Sequence, residues 1–161
     1  MSWVGDALVE LRSCVGDALV EKGGGEVCWL GILPGLDVPL EFCSGECGSE
    51  TCGMAWVRLN QTYPSTTFPD QDVAAGNCRK PIAHTIEVGV ARCLPVMDTD
   101  GSFPAPEDFL DVTLSLTDDI EALRYAIACC FGSTRHTLGA WTPFGPDGGC
   151  VGGTWTVTVT S

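Results

Sequence analysis

The C-terminal stretch limits what this chain can fold into more than any other part of it. A block crowded with glycine and proline, from Gly139 through Trp141, Pro143, Phe144, Pro146 and Gly148-Gly149 to Gly152-Gly153, feeds into Thr154-Trp155-Thr156-Val157-Thr158-Val159-Thr160. A period of two built from β-branched and aromatic residues specifies a half-buried strand, with Trp155, Val157 and Val159 on one face and the threonines on the other. The block before it holds too many breakers for a helix or a central strand, so it is expected to be a shaped loop. No nucleophile, general base or phosphate-binding spacing lies within it. An apolar loop of this kind points to contact with another surface rather than to chemistry.

The N-terminus carries a different period. Val4-Gly5-Asp6-Ala7-Leu8-Val9-Glu10 returns as Val15-Gly16-Asp17-Ala18-Leu19-Val20-Glu21, and a spacing of eleven brings each residue back to nearly the same helical face. Val4, Ala7, Leu8, Leu11, Cys14, Val15, Ala18 and Leu19 make one apolar stripe, and Gly23-Gly24-Gly25 ends the helix. The repeat stays within one helix and does not indicate a solenoid.

Three strand regions follow, at 27–33, 55–59 and 85–92; a Pro34-Gly35 turn and Val38–Phe42 come after the first, and polar loops cover 60–81 and 95–108. On the strand at 55–59 Arg58 either faces away from Trp56 or makes that face locally polar. Thr117, followed by Asp118, Asp119 and Glu121, is expected to cap a second helix with Ile120, Leu123, Ile127 and Cys130 on its buried side and Gly132 as its stop. The order helix, strands, helix, final strand predicts an α+β fold: a mainly antiparallel sheet with the N-terminal helix and the second helix packed on one face. A length of 161 residues suits one domain spanning 1–161.

Eight Lys and Arg against 21 Asp and Glu give a formal charge of −13, which opposes binding to nucleic-acid phosphates and to anionic membranes. No apolar run approaches the ~20 residues of a membrane span. The start lacks a basic region ahead of its apolar residues and does not read as a secretory signal, which places synthesis in a cytoplasm. Charged residues are only 18% of the chain, a composition suited to a subunit that covers apolar surface with its neighbours.

Ten cysteines are the chief chemical oddity. Cys43-x3-Cys47-x4-Cys52 can hold disulfides formed after the protein leaves the cell, or, with Cys78 or Cys93 as a fourth ligand, a tetrahedral zinc. The Cys-x2-Cys knuckle is absent, so the disulfide reading is preferred and no metal or other cofactor is assigned. Cys14, Cys129 and Cys130 read as small buried hydrophobes on helical faces. His84 and His136 are the only histidines, and neither stands in a catalytic spacing. Asp98-Thr99-Asp100-Gly101 lacks the later ligands of a calcium loop and reads as a turn.

Several blocks together resemble a known group. Cys28-Trp29-Leu30-Gly31, Cys52-Gly53-Met54-Ala55-Trp56-Val57-Arg58-Leu59, Tyr63-Pro64-Ser65, Glu87-Val88-Gly89-Val90-x-Arg92-Cys93 and the ending from Gly139 to Val157 are similar to head-to-tail connector proteins of long-tailed bacteriophages infecting actinobacteria. The element order resembles the tail-terminator subunits among them. That resemblance implies a non-enzymatic virion protein of the neck, assembled in the host cytoplasm. It implies a hexameric ring that caps the tail tube, joins it to the head connector or stopper, and lets DNA pass without specific binding. A head-completion or stopper ring, a cysteine-rich binding module and a small thiol enzyme are the alternatives. Under the ring reading, Tyr63, Phe68, Trp141 and Phe144 are expected at subunit contacts as exposed anchors, and Asp70, Asp72 and Glu87 are expected to line the channel.

Overall fold

A computed structural model describes residues 2–43, 52–74 and 79–160. Helix α1 spans Trp3–Glu21, with the Ser2 hydroxyl accepting a hydrogen bond from the Gly5 amide. Strands β1 (Trp29–Ile32), β2 (Met54–Pro64) and β3 (Ile82–Cys93) follow, with a 3-10 turn at Leu40–Phe42 between the first two. Helix α2 covers Pro106–Phe131, and β4 (His136–Leu138), β5 (Thr142–Asp147) and β6 (Cys150–Thr160) complete the order.

The sheet runs β1-β2-β3-β6-β4, and β5 also pairs with β6. Only β1 and β2 are parallel; the other pairs are antiparallel. The fold is therefore α+β with a mostly antiparallel sheet. Both helices lie on one face of it. Leu11, Val15, Leu19, Leu123 and Ile127 pack with Val57, Ile86, Val88, Val90, Val157 and Val159 in one continuous core, and Leu8 joins it partly buried. Trp155 faces the same way, and its indole N–H donates to the Ile120 carbonyl at 3.0 Å, pinning α2 to β6.

The opposite sheet face carries a smaller cluster. Trp56, Met54, Ala91, Cys43 and Cys150 are buried there, with Trp29, Leu40 and Phe144 against them. Gly89 faces Trp56 across the β2–β3 pair, and the indole occupies the space a side chain at 89 would need. Gly153 makes the same kind of seat for Trp141 on the helical face.

Three expectations need correction. The Gly/Pro block is not a free loop, because 142–147 pairs with β6 as β5. Pro143 and Pro146 are tolerated because β5 is bonded to a single neighbour, which is where a strand can lack amide donors. Helix α2 begins at Pro106 rather than after Thr117. Proline suits a first helical position, and the Asp108 carboxylate accepts from the Ala105 amide at 3.0 Å. Thr117 lies inside the helix, its hydroxyl donating back to the Leu114 carbonyl at 2.7 Å. Finally, Cys14 and Cys130 are not separate packed thiols. They form a disulfide between α1 and α2, while Cys129 stays free and exposed.

Candidate functional site

The four aromatic residues expected as exposed anchors all turn back onto their own subunit. Tyr63 is buried, its hydroxyl donating to the Pro69 carbonyl at 2.8 Å. Phe68 is half-buried beneath the Arg135 guanidinium. Trp141 packs on Trp155 with ring centroids 5.9 Å apart, and Phe144 lies 5.9 Å from Trp56 on the other face. The cause is local. Glycines at 139 and 153 let β5 and its approach sit close to β6, so Trp141 finds apolar cover inside the subunit.

Exposed apolar side chains lie elsewhere. Val96, Met97 and Phe103 project from the segment leading into α2, Phe103 with 85% of its surface exposed. Phe109, Leu110 and Leu114 continue the patch on the first half of the helix. Leu110 and Leu114, four residues apart, share a face pointing away from the core stripe of Asp119, Ala122, Leu123 and Ala126. Helix residues 106–114 are exposed apart from half-buried Val112. Sequence reasoning missed this arm because it capped the helix at Thr117 rather than at Ala105. An apolar patch rimmed by Glu107, Asp108 and Asp111 is the kind of surface that another protein covers.

The three acidic channel candidates differ in their environments. Asp70 is exposed. Asp72 accepts from Lys80 at 2.9 Å and from both the amide and hydroxyl of Thr66. These donors lower its pKa from the usual carboxylate value to about 2, the Lys80 contact contributing most. Glu87 is buried but for an edge at the cleft described below, with both oxygens committed. Arg58 donates from Nε and Nη2 at 2.8 Å each, and the Trp56 indole adds a third bond at 2.9 Å. Arg58 and Trp56 share a face, as residues two apart on a strand must, so the local-polarity reading of that face holds. This pair forms part of the wall of an open cleft of about 390 Å³, beside Leu36, Val38 and Phe144.

Sulfur chemistry concentrates at one end of the sheet. Cys43 closes the 3-10 turn, Cys52 precedes β2, Cys93 ends β3, and Cys150 opens β6 opposite Cys93. Disulfides join Cys43 to Cys150 and Cys52 to Cys93. The Sγ atoms of Cys43, Cys52 and Cys93 lie within 4.8 Å of one another. Of the expected trio 43, 47 and 52, the structure brings together 43 and 52; Cys47, like Cys78, lies outside the described residues. Cys28 is also disulfide-bonded.

His84 meets the Thr62 hydroxyl through Nδ1 at 3.0 Å, and burial lowers its pKa. His136 meets the Thr134 carbonyl through Nδ1 at 2.8 Å. Among the described residues, no hydrogen bond links either ring to a cysteine or serine. No described helix is long and apolar enough to cross a membrane. No protein-family model matches the chain, and no curated protein matches it in sequence.

Proposed function

We propose that the chain is a ring-forming structural subunit of a phage neck, a tail terminator that caps the tail tube and joins it to the head connector. The observation that carries this reading is the unpartnered apolar arm formed by Phe103, Phe109, Leu110 and Leu114. A second copy of the chain is its occupant: an arm standing off one side of a subunit is suited to reach the next, and repeating that head-to-tail contact generates a closed ring. The resemblance of the sequence blocks to actinobacterial phage connectors supplies the class of ring.

Charge supports the same reading. The outward residues of α1 include Asp6, Glu10, Asp17 and Glu21, all exposed, and Asp70 is exposed as well. A ring of such subunits, each at −13, would repel a duplex passing through it rather than bind it. Asp70 and the acidic face of α1 are the candidates for the bore, in place of Glu87.

Three disulfides among the described cysteines favour a second reading, a cysteine-rich binding module working outside the cell. Electron microscopy of the purified chain separates the two. Open-centred rings that dissociate on Leu110→Asp and Leu114→Asp support the terminator. A monomer at all concentrations, with no ring in the presence of tail tubes, overturns it and leaves the binding module.

A further inference from the structure

We propose that Cys43, Cys52, Cys93 and Cys150, once reduced, form a tetrathiolate site for one zinc ion. The inference starts from where the sulfurs are. Cys43 Sγ lies 4.0 Å from Cys93 Sγ across the two disulfides, and Cys52 Sγ lies within 4.8 Å of both. A zinc held at about 2.3 Å by four sulfurs sets them about 3.8 Å apart along each edge of the tetrahedron. The separation between the disulfides is already close to that edge. Reduction lets the two bonded pairs relax outward to the same spacing.

The supporting chain permits the adjustment. Each cysteine sits at the margin of an element rather than in its middle: the end of a turn, the approach to β2, the last residue of β3, the first of β6. Cys43 and Cys150 are fully buried beside Met54 and Trp56, so two of the ligands are shielded from water. Left as free thiols, Cys43, Cys52 and Cys93 would be crowded within 4.8 Å of one another with little to hold them, and Cys150, released from Cys43 at the margin of β6, is the fourth sulfur that must swing in. A zinc ion supplies the cross-link that the disulfides provide when oxidised, tying the segment before β2 to β3 and β6. Cys14 and Cys130 belong to the other sheet face and take no part.

The interconversion balances with a thiol reductant. Two protein disulfides, four small thiols and Zn²⁺ give the zinc tetrathiolate, two small-molecule disulfides and four protons. Both S–S bonds of the protein break, the four cysteine sulfurs take up the four electrons that the small thiols give, and binding the metal then changes no oxidation state. Run in reverse, a small disulfide as oxidant expels the zinc.

The test uses the full chain reduced with a thiol, desalted anaerobically and titrated with Zn²⁺ or Co²⁺. Native mass spectrometry is expected to find one zinc per subunit, and Co²⁺ to give the visible bands of a tetrahedral four-sulfur centre. Cys150→Ser and Cys93→Ser should each lower zinc affinity by more than about 100-fold, since a three-sulfur site must borrow water as its fourth ligand. A Cys14→Ser, Cys130→Ser chain should bind as the parent does. The oxidised chain should take up no zinc, and its thermal midpoint should ignore a chelator. Failure of the reduced chain to bind zinc overturns the proposal, whether that chain stays folded or unfolds and is not refolded by the metal. Unchanged affinity in the Cys150→Ser chain does so equally.

Discussion

Arg92 and Asp119 meet side by side, Nε and Nη2 of the arginine each 2.8 Å from a different oxygen of a carboxylate that has no exposure to solvent. The remaining arginine donors reach the carbonyls of Gly25 and Glu26, and the Gly24 amide donates to the same carboxylate at 2.8 Å. One ion pair thus joins β3, α2 and the turn after α1. The glycine run has a role beyond ending a helix: a side chain at 23 would strike the Asp119 carboxylate, and one at 24 would press on Ser115.

Removing one partner leaves a buried charge uncompensated. Asp119→Ala is expected to cost about 3–5 kcal/mol in urea unfolding, and Arg92→Met a similar amount. The double variant Arg92→Met, Asp119→Ala should be less destabilised than the sum of the two. Strict additivity would show that the two side chains do not act as a pair.

The Cys14–Cys130 bridge closes a loop with a sequence separation of 116 between α1 and α2. A link of that span restricts the unfolded chain strongly, so Cys14→Ser with Cys130→Ser should lower stability by about 2–5 kcal/mol. The helices stay packed through Leu11, Val15, Leu123 and Ile127, so near-ultraviolet dichroism should keep its native form at room temperature. Leu11→Ala or Leu123→Ala, each at a fully buried position, should cost about 2–5 kcal/mol by the same assay. An unchanged denaturation midpoint in any of these variants would contradict the helix packing described.

What the sequence disclosed follows from how each element is stabilised. Helix α1 and strand β6 bury mainly one face, and β3, though buried on both, alternates large apolar Ile86, Val88 and Val90 with Glu87, Gly89 and Ala91, so their periods were readable, and the packing of both helices on one sheet face followed from them. The first half of α2 buries almost nothing of its own subunit, and Phe109, Leu110 and Leu114 trace no core stripe there. Its prolines read as loop although Pro106 occupies a first-turn position. Strand β5 was hidden by two prolines that only an edge tolerates. The Cys43–Cys150 and Arg92–Asp119 pairings join segments far apart in the chain, and no local pattern links them. The aromatic side chains are less exposed than expected for a related reason: Trp141 sits over Gly153 of the paired strand β6, and Phe144 lies against Trp56.

Asp72 provides a check, through pH, on the contacts that hold it to Thr66 and Lys80. Its folded pKa of about 2 lies below the ordinary carboxylate value of 3.8. The ionised carboxylate therefore favours the folded segment above the unfolded value, and that contribution fades as pH falls through 3.8 toward 2. A carboxyl chemical-shift titration should place its midpoint near 2, and Lys80→Ala should move the midpoint upward, with Thr66→Val moving it less. A parent midpoint near 3.8 would mean that the Lys80 and Thr66 contacts are not held in solution.

Folding and assembly are separable by comparing two places on the chain. Trp141 is half-buried against Trp155 and over Gly153, so Trp141→Ala should lower subunit stability by an amount on the order of 2 kcal/mol, below the 3–5 typical of a fully buried tryptophan. Leu110 and Leu114 are more than half exposed, so Leu110→Asp with Leu114→Asp should leave the unfolding midpoint within about 0.5 kcal/mol of the parent. The two variants should reverse their order when assembly is measured. At concentrations where the parent forms rings, sedimentation should show the Trp141→Ala chain still assembling while folded, and the arm variant as monomer. Loss of assembly in the Trp141→Ala chain under fully folded conditions, with the arm variant still forming rings, would place the subunit contact at β5 and take it away from α2.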